Sequence, residues 1–306
     1  MRRSCCTLIA LLALCAASPA RAQHEHHAGT PVDPRLEAEI DAVRDATLRY
    51  RDHARAVEDG YVRFGGEGAL MGEHWYRRDL VGRPLDLARP STLQYVTIDG
   101  ERTLAGVAYT VYRHPAEPMP DGFSGDLDEW HVHDTARIRG ALLDGRPVLR
   151  WLAERSVRRR GIERGGRTHL TMVHAWVWID NPEGVFAQEH RALPWLRAGR
   201  PAEWARGADR PTAMGVALLS PATCDAELKR LHVLARPSRE QRIVLSEACA
   251  RAERDVRTAP RWDREALNAA AAVAWRAFER TRDATLTPEQ QAKLTILVEH
   301  TPHGAH

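Results

Sequence analysis

Two imidazoles and a carboxylate alternate in the segment GDLDEWHVHDT, residues 125–135. On a strand, successive side chains point to opposite faces, so Glu129, His131 and His133 share one face while Trp130 and Val132 take the other. Same-face neighbours lie about 7 Å apart along a strand, close enough for both imidazoles to reach one ion at about 2.1 Å. A lone His-x-His also suits a polar edge strand, so its company matters. MGEHWYRRDL carries His74 just after the glycine-rich FGGEGALMG, and TMVHAWVWIDNPEGVF carries His174 on the face of Met172, Trp176 and Trp178. A histidine buried among tryptophans must find a polar partner, whether backbone, carboxylate or metal.

These residues support three readings. In the first, His131 and His133 with His74 or His174 bind a divalent transition metal, zinc or copper, and Glu129 is a fourth ligand or supports one. Neutral imidazoles suit both ions. In the second, the same cluster keeps an open coordination position and works as a metal-dependent enzyme, with Glu73, Glu129 or Glu189 as general base. His-Glu-x-x-His, Gly-x-Ser-x-Gly and P-loop motifs are all missing from the sequence, so the named hydrolase and nucleotide routes lack their signatures. In the third, no metal is involved, and a tryptophan-rich face binds a ligand or protein partner.

Compartment decides which of these chemistries is available. Met1-Arg2-Arg3, an apolar run from Thr7 to Ala17 and the small-residue site Ala20-Arg21-Ala22 read as a signal peptide over residues 1–22, cleaved after Ala22. The expected location is periplasmic or secreted. The apolar run is shorter than the roughly 20 residues a span needs, and no later run is longer, so no membrane span is expected. Cys5, Cys6 and Cys15 fall in the removed segment; a lipidated Cys15 is the weaker alternative. Cys224 and Cys249 remain, and in an oxidising compartment they are expected to pair. The net charge of +3 is nearly balanced, and RSVRRRGIERGGR at 155–167 reads as a solvated loop, so no nucleic-acid partner is expected. The tails HEHH and HTPHGAH read as solvated ends or as weak metal collectors.

Around the candidate site the pattern implies an α+β fold. After a disordered His-rich tail over residues 23–35, Leu36, Ile40, Val43, Thr47, Tyr50, Ala54, Val57 and Tyr61 form one helical stripe, with Gly60 at its C-terminal cap. From Thr92 to Ile179 the period shifts to two. TLQYVTIDGERTLAGVAYTVYR makes a hairpin about Asp99-Gly100, and EWHVHD and HLTMVHAWVWIDNP add strands, the last ended by Asn181-Pro182. The expectation is an antiparallel sheet of four to five strands packed by the N-terminal helix, over residues 36–195. A linker at 196–212 would lead to a helical region at 213–300 and a His-containing tail at 301–306. Ser238 with Gln241, and Thr287-Pro288 with Gln290, mark helix starts. Cys224 and Cys249 stand about thirteen residues before and twelve after the turn Arg236-Pro237-Ser238, so a disulfide would clamp an antiparallel helical hairpin.

ATLRYRDHARAVEDGYV, the run from MGEHWYRRDL through the hairpin, the Trp-His-x-His of EWHVHD and VHAWVWIDNPEGVFAQEH together resemble a set of exported bacterial proteins of unknown function. The resemblance covers roughly residues 45–190. It implies no activity, but it places His74, His131, His133 and His174 on the recurrent elements of that set. LTPEQQAKL faintly resembles a Leu-Thr-x-x-Gln element of periplasmic stress and metal-resistance helical proteins, and is equally an N-cap.

Overall fold

Asp33 starts the first helix: its side chain accepts from the backbone N–H of Arg35, and Pro34 follows in the first turn. The computed structural model describes residues 33–160 and 164–295. The expected signal peptide, most of the N-terminal tail and the C-terminal tail lie outside the described residues. Helix α1 (Pro34–Thr47) buries Leu36, Ile40, Val43 and Thr47, one face of the expected stripe. The stripe does not run on unbroken to Tyr61. Leu48–Arg51 tightens into a 3-10 turn, and Asp52 then caps a new helix, α2 (His53–Glu58), by accepting from Ala54 N–H. The restart rotates the register, so Ala54 and Val57 are exposed while Ala56 and Tyr61 are buried. Gly60 ends α2 at φ +89°, a conformation other residues rarely adopt.

Six strands follow: β1 (Val62–Gly68), β2 (Gly72–Tyr76), β3 (Thr92–Ile98), β4 (Glu101–Arg113), β5 (His131–Asp134) and β6 (His169–Ala175). They form one antiparallel sheet in the order β1-β2-β3-β4-β6-β5. The strands not read from the sequence, which placed them only from Thr92 onward, are β1 and β2; the glycine-rich VRFGGEG of β1 lies largely exposed at an edge and shows no alternation to read. The β3–β4 hairpin turns on Asp99 and Gly100, both at positive φ, as a two-residue connection of right-twisted strands requires.

Helices α3 (Thr135–Leu143) and α4 (Pro147–Arg160) connect β5 to β6. The arginine-rich run expected to be a loop from residue 155 is therefore helical as far as Arg160, because Val157 is buried and the chain upstream already pairs Arg150 with Glu154 at 3.1 Å. Strand β6 stops at Ala175 rather than running to Ile179. Trp176 N–H donates to Val185, and Trp178 and Ile179 N–H both donate to the single carbonyl of Ala105, which ends the regular ladder.

The C-terminal half is helical: α5 (Leu193–Arg197), α6 (Arg210–Ala217), α7 (Ala222–Leu234), α8 (Arg239–Arg257), α9 (Arg264–Thr285) and α10 (Pro288–Thr295). Between α5 and α6, the stretch expected as a linker holds a 3-10 turn, Ala202–Ala205, with Ala205 buried. Leu70, Trp195, Leu231, Leu245, Trp275 and Phe278 share one core, which ties the sheet side to the helices. Gly215 lets α6 cross α9 closely, since a Cβ there would lie 2.1 Å from the carbonyl oxygen of Ala271. The Cys224–Cys249 disulfide joins α7 to α8 with Cα atoms 5.9 Å apart, about a turn in which Arg236 takes φ +49°. Ser238 and Gln241 form the capping box of α8, and Thr287 and Gln290 exchange the equivalent bonds at α10. Among the described residues, no helix is long and apolar enough to cross a membrane.

Candidate histidine site

Register places the histidines on one face of the sheet. Directly paired residues of antiparallel strands point to the same side. His131 pairs with Met172 and Met172 with Thr110, His174 pairs with Ala108, and His74 pairs with Gln94, which pairs with Gly106. His133, two residues beyond His131, joins the same side. In a flat sheet, β2 and β6 would stand about 14 Å apart, three strand spacings of about 4.8 Å. The ring centroids of His74 and His174 are 5.7 Å apart. The sheet is therefore curled, and the histidine face is its concave side. Small residues permit this: a Cβ on Gly106 would sit 2.6 Å from the carbonyl oxygen of Ala175, and Ala108 is fully buried.

The other rings close the cluster. His131 lies 4.9 Å from His174 and 5.1 Å from His133, centroid to centroid. Imidazoles bound to one tetrahedral ion at about 2.1 Å have centroids roughly 5 Å apart. His131 and His174 are buried, whereas His74 and His133 are half-buried and form the edge nearer solvent.

Both nitrogens of His174 have a close neighbour. Nδ1 lies 2.9 Å from the carbonyl oxygen of Gln188 and Nε2 lies 3.1 Å from the thioether sulfur of Met172. A carbonyl can only accept, so Nδ1 carries the proton and Nε2 presents its lone pair to sulfur. Burial, then the nearby His131 and His74, holds the ring well below the usual histidine range, although the Gln188 bond works the other way. His74 is pushed down to about 4 by burial and by His133. Both rings are neutral near pH 7, the form that binds metal. Between them lies Gln94, fully buried, whose Oε1 and Nε2 find no hydrogen-bond partner among the described residues.

As the side chains stand, no set of three or more His, Cys, Asp or Glu among the described residues gathers its donor atoms into a metal-binding arrangement. The neighbouring rings of His131, His133 and His174 meet edge to face instead. Their spacing fits a shared ion; engaging one requires side-chain rotation of the half-buried His133 and His74.

The candidate carboxylates are placed elsewhere. Glu129 precedes β5 and is exposed, and it lies near Glu183, whose carboxyl is raised by burial and by Glu189 and Glu129 against the pull of Arg191. Glu73 points to the face opposite His74. It is buried and bonded to Trp75 Nε1 and Arg102 Nε at 2.9 Å and to Arg63 Nη2 at 3.0 Å. Burial raises its carboxyl, but the bonds from Trp75 and Arg102 and the two arginine charges outweigh this and hold it below the usual range. Glu189 accepts from Arg210 Nε at 2.9 Å.

Trp130, Trp176, Trp195 and Trp275 are fully buried core residues, and Trp178 is half-buried and bonded to Thr47 Oγ1 at 3.0 Å. Sequence reading missed three polar groups in and around the site. The Gln188 carbonyl has no side-chain signature. Gln94, polar in an otherwise apolar LQYV run, was readable. His190 is buried against Trp176 at 4.9 Å and is pushed down to about 4, by burial above all. In comparisons with known proteins, the chain matches no family model, no curated protein and no solved structure.

Proposed function

We propose that this chain is an exported protein that binds a transition-metal ion, zinc or copper, at the cluster of His74, His131, His133 and His174. The observation that carries the reading is convergence. Four histidines from three distant sequence segments meet at ring spacings of 4.9 to 5.7 Å on the concave side of one sheet. Chance burial of one histidine is ordinary, but each buried imidazole costs desolvation that the fold must offset, and two buried imidazoles with two half-buried ones beside them call for a common partner. His174 shows the arrangement typical of metal-bound imidazoles, with one ring nitrogen donating to a carbonyl and the other directed at the site. The same four positions carry the resemblance to exported proteins, and the disulfide suits an oxidising compartment. Binding is favoured over catalysis because Glu73, the carboxylate adjacent in sequence to His74, is held as an anion on the opposite face.

The test is metal content by elemental analysis of the untagged full chain and of the His131→Ala/His133→Ala double variant, both dialysed against zinc and against copper. The tails contribute equally to both proteins, so the variant should hold about one ion fewer per chain, with unchanged circular dichroism, because Trp130 and Val132 still pack the other face. Equal metal content in the two proteins would overturn the proposal.

A further inference from the structure

The contact between His174 and Met172 distinguishes one metal from the other. His174 Nδ1 must donate to the Gln188 carbonyl, so Nε2 has no proton to offer the sulfur 3.1 Å away. A nitrogen lone pair and a thioether thus face each other in a buried site, with no hydrogen between them. That pairing is poor unless a cation is shared by both atoms. His131 completes the arrangement: it pairs directly with Met172 across β5 and β6, and its ring is 4.9 Å from that of His174.

We infer that Met172 is a ligand and that the ion taken is copper(I), bound by the Met172 thioether with the imidazoles of His131 and His174. This rests on the histidine-site reading above and adds the identity of the ion. Thioether sulfur is a soft donor that selects copper(I), whereas zinc is served by imidazole, carboxylate and thiolate. A set of two imidazoles and one thioether also accounts for why, among the described residues, no three His, Cys, Asp or Glu side chains present a ready site, since the third donor is a methionine. His74, His133 and Gln94 then line the rest of the concavity, where the half-buried pair gives the ion its way in.

The experiment compares the full chain with Met172→Leu, a swap that conserves volume and keeps the apolar packing. Copper(I) affinity is measured anaerobically with ascorbate against a chromogenic copper(I) chelator, zinc affinity by competition with a zinc indicator, and sulfur ligation by X-ray absorption. Met172→Leu should weaken copper(I) by about tenfold or more, the scale on which support to a metal site acts, while changing zinc by less than about twofold. The sulfur scatterer should disappear with it. Three results would overturn the inference: copper(I) affinity unchanged in the variant, equal loss of both ions, or a copper(I) spectrum without sulfur. If the His131→Ala/His133→Ala variant still loses an ion in those cases, the histidine site stands without Met172. If it does not, the site itself falls.

Discussion

His74 and His174 face each other with ring centroids 5.7 Å apart, although β3 and β4 run between their strands. Such closeness requires curl, and Gly106 is one point that leaves room for it, since a Cβ there would lie 2.6 Å from the carbonyl oxygen of Ala175 and 3.0 Å from Trp176 Cα. Gly106→Ala should therefore cost about 1 to 3 kcal/mol, the usual penalty for forcing a methyl group into a packed interior. The same change should lower metal content, because it pushes β6 outward and separates the rings. Urea unfolding and elemental analysis check both; full stability in the variant would show that Gly106 does not set the curl.

Cys224 and Cys249 clamp α7 against α8, and the rest of the C-terminal core packs on that pair. Reduction, or Cys224→Ala with Cys249→Ala, should cost about 2 to 5 kcal/mol, with the larger effect in the helical half. Hydrogen exchange should show α7 and α8 losing protection before β3 and β4. Uniform loss across the chain would mean that the two halves unfold as one cooperative unit.

His190 supplies a pH signature that does not depend on metal. Its folded-state pKa is about 4, against an ordinary value of 6.5, because burial excludes the charged form. As pH falls, the unfolded chain takes up the proton first, so stability is complete above about 6.5 and is lost down to about 4. Between pH 7 and pH 5 this one residue should account for about 2 kcal/mol. His74 shares the window, and His174 adds to it. His190→Phe, which keeps a ring against Trp176, should flatten the dependence of the urea midpoint on pH by that amount. An unchanged slope would mean that His190 is protonated in the folded chain.

The parts of this fold that were legible in the sequence are those set by local chemistry. Asp99-Gly100 specifies its hairpin, Ser238 and Gln241 start α8, and the near-equal spacing of Cys224 and Cys249 about Arg236-Pro237-Ser238 predicts their pairing. The break after Tyr50 was not legible, because Asp52 is a capping residue inside a run that keeps helical spacing. Nor was β1, whose exposed glycines leave no periodicity. For the site, strand parity correctly put His131 with His133 and put Met172 with His174. It could not reveal that the sheet curls enough to bring His74 across two strands, since curl depends on backbone approaches between strands such as that at Gly106, which side-chain parity does not encode. Glu129 was grouped with His131 by the same parity rule; it lies two residues before β5 begins and is exposed.

The protonation of His174 follows from its two neighbours. Its Nδ1 faces a carbonyl oxygen at 2.9 Å and its Nε2 faces the Met172 sulfur at 3.1 Å, so the neutral ring must be the Nδ1–H tautomer. Nitrogen-15 NMR of histidine-labelled protein should show one imidazole with a protonated Nδ1 and a bare Nε2. That pattern should persist from pH 7 to pH 5, because burial and the neighbouring imidazoles hold its pKa well below 6.5. On adding copper(I), the Nε2 resonance should move while Nδ1 stays protonated, since the carbonyl bond is not displaced. In Met172→Leu without metal, the tautomer should remain, because Gln188 rather than Met172 dictates it. A switch to Nε2–H in that variant would show that the thioether, acting as an ordinary hydrogen-bond partner, had been setting the ring's protonation all along.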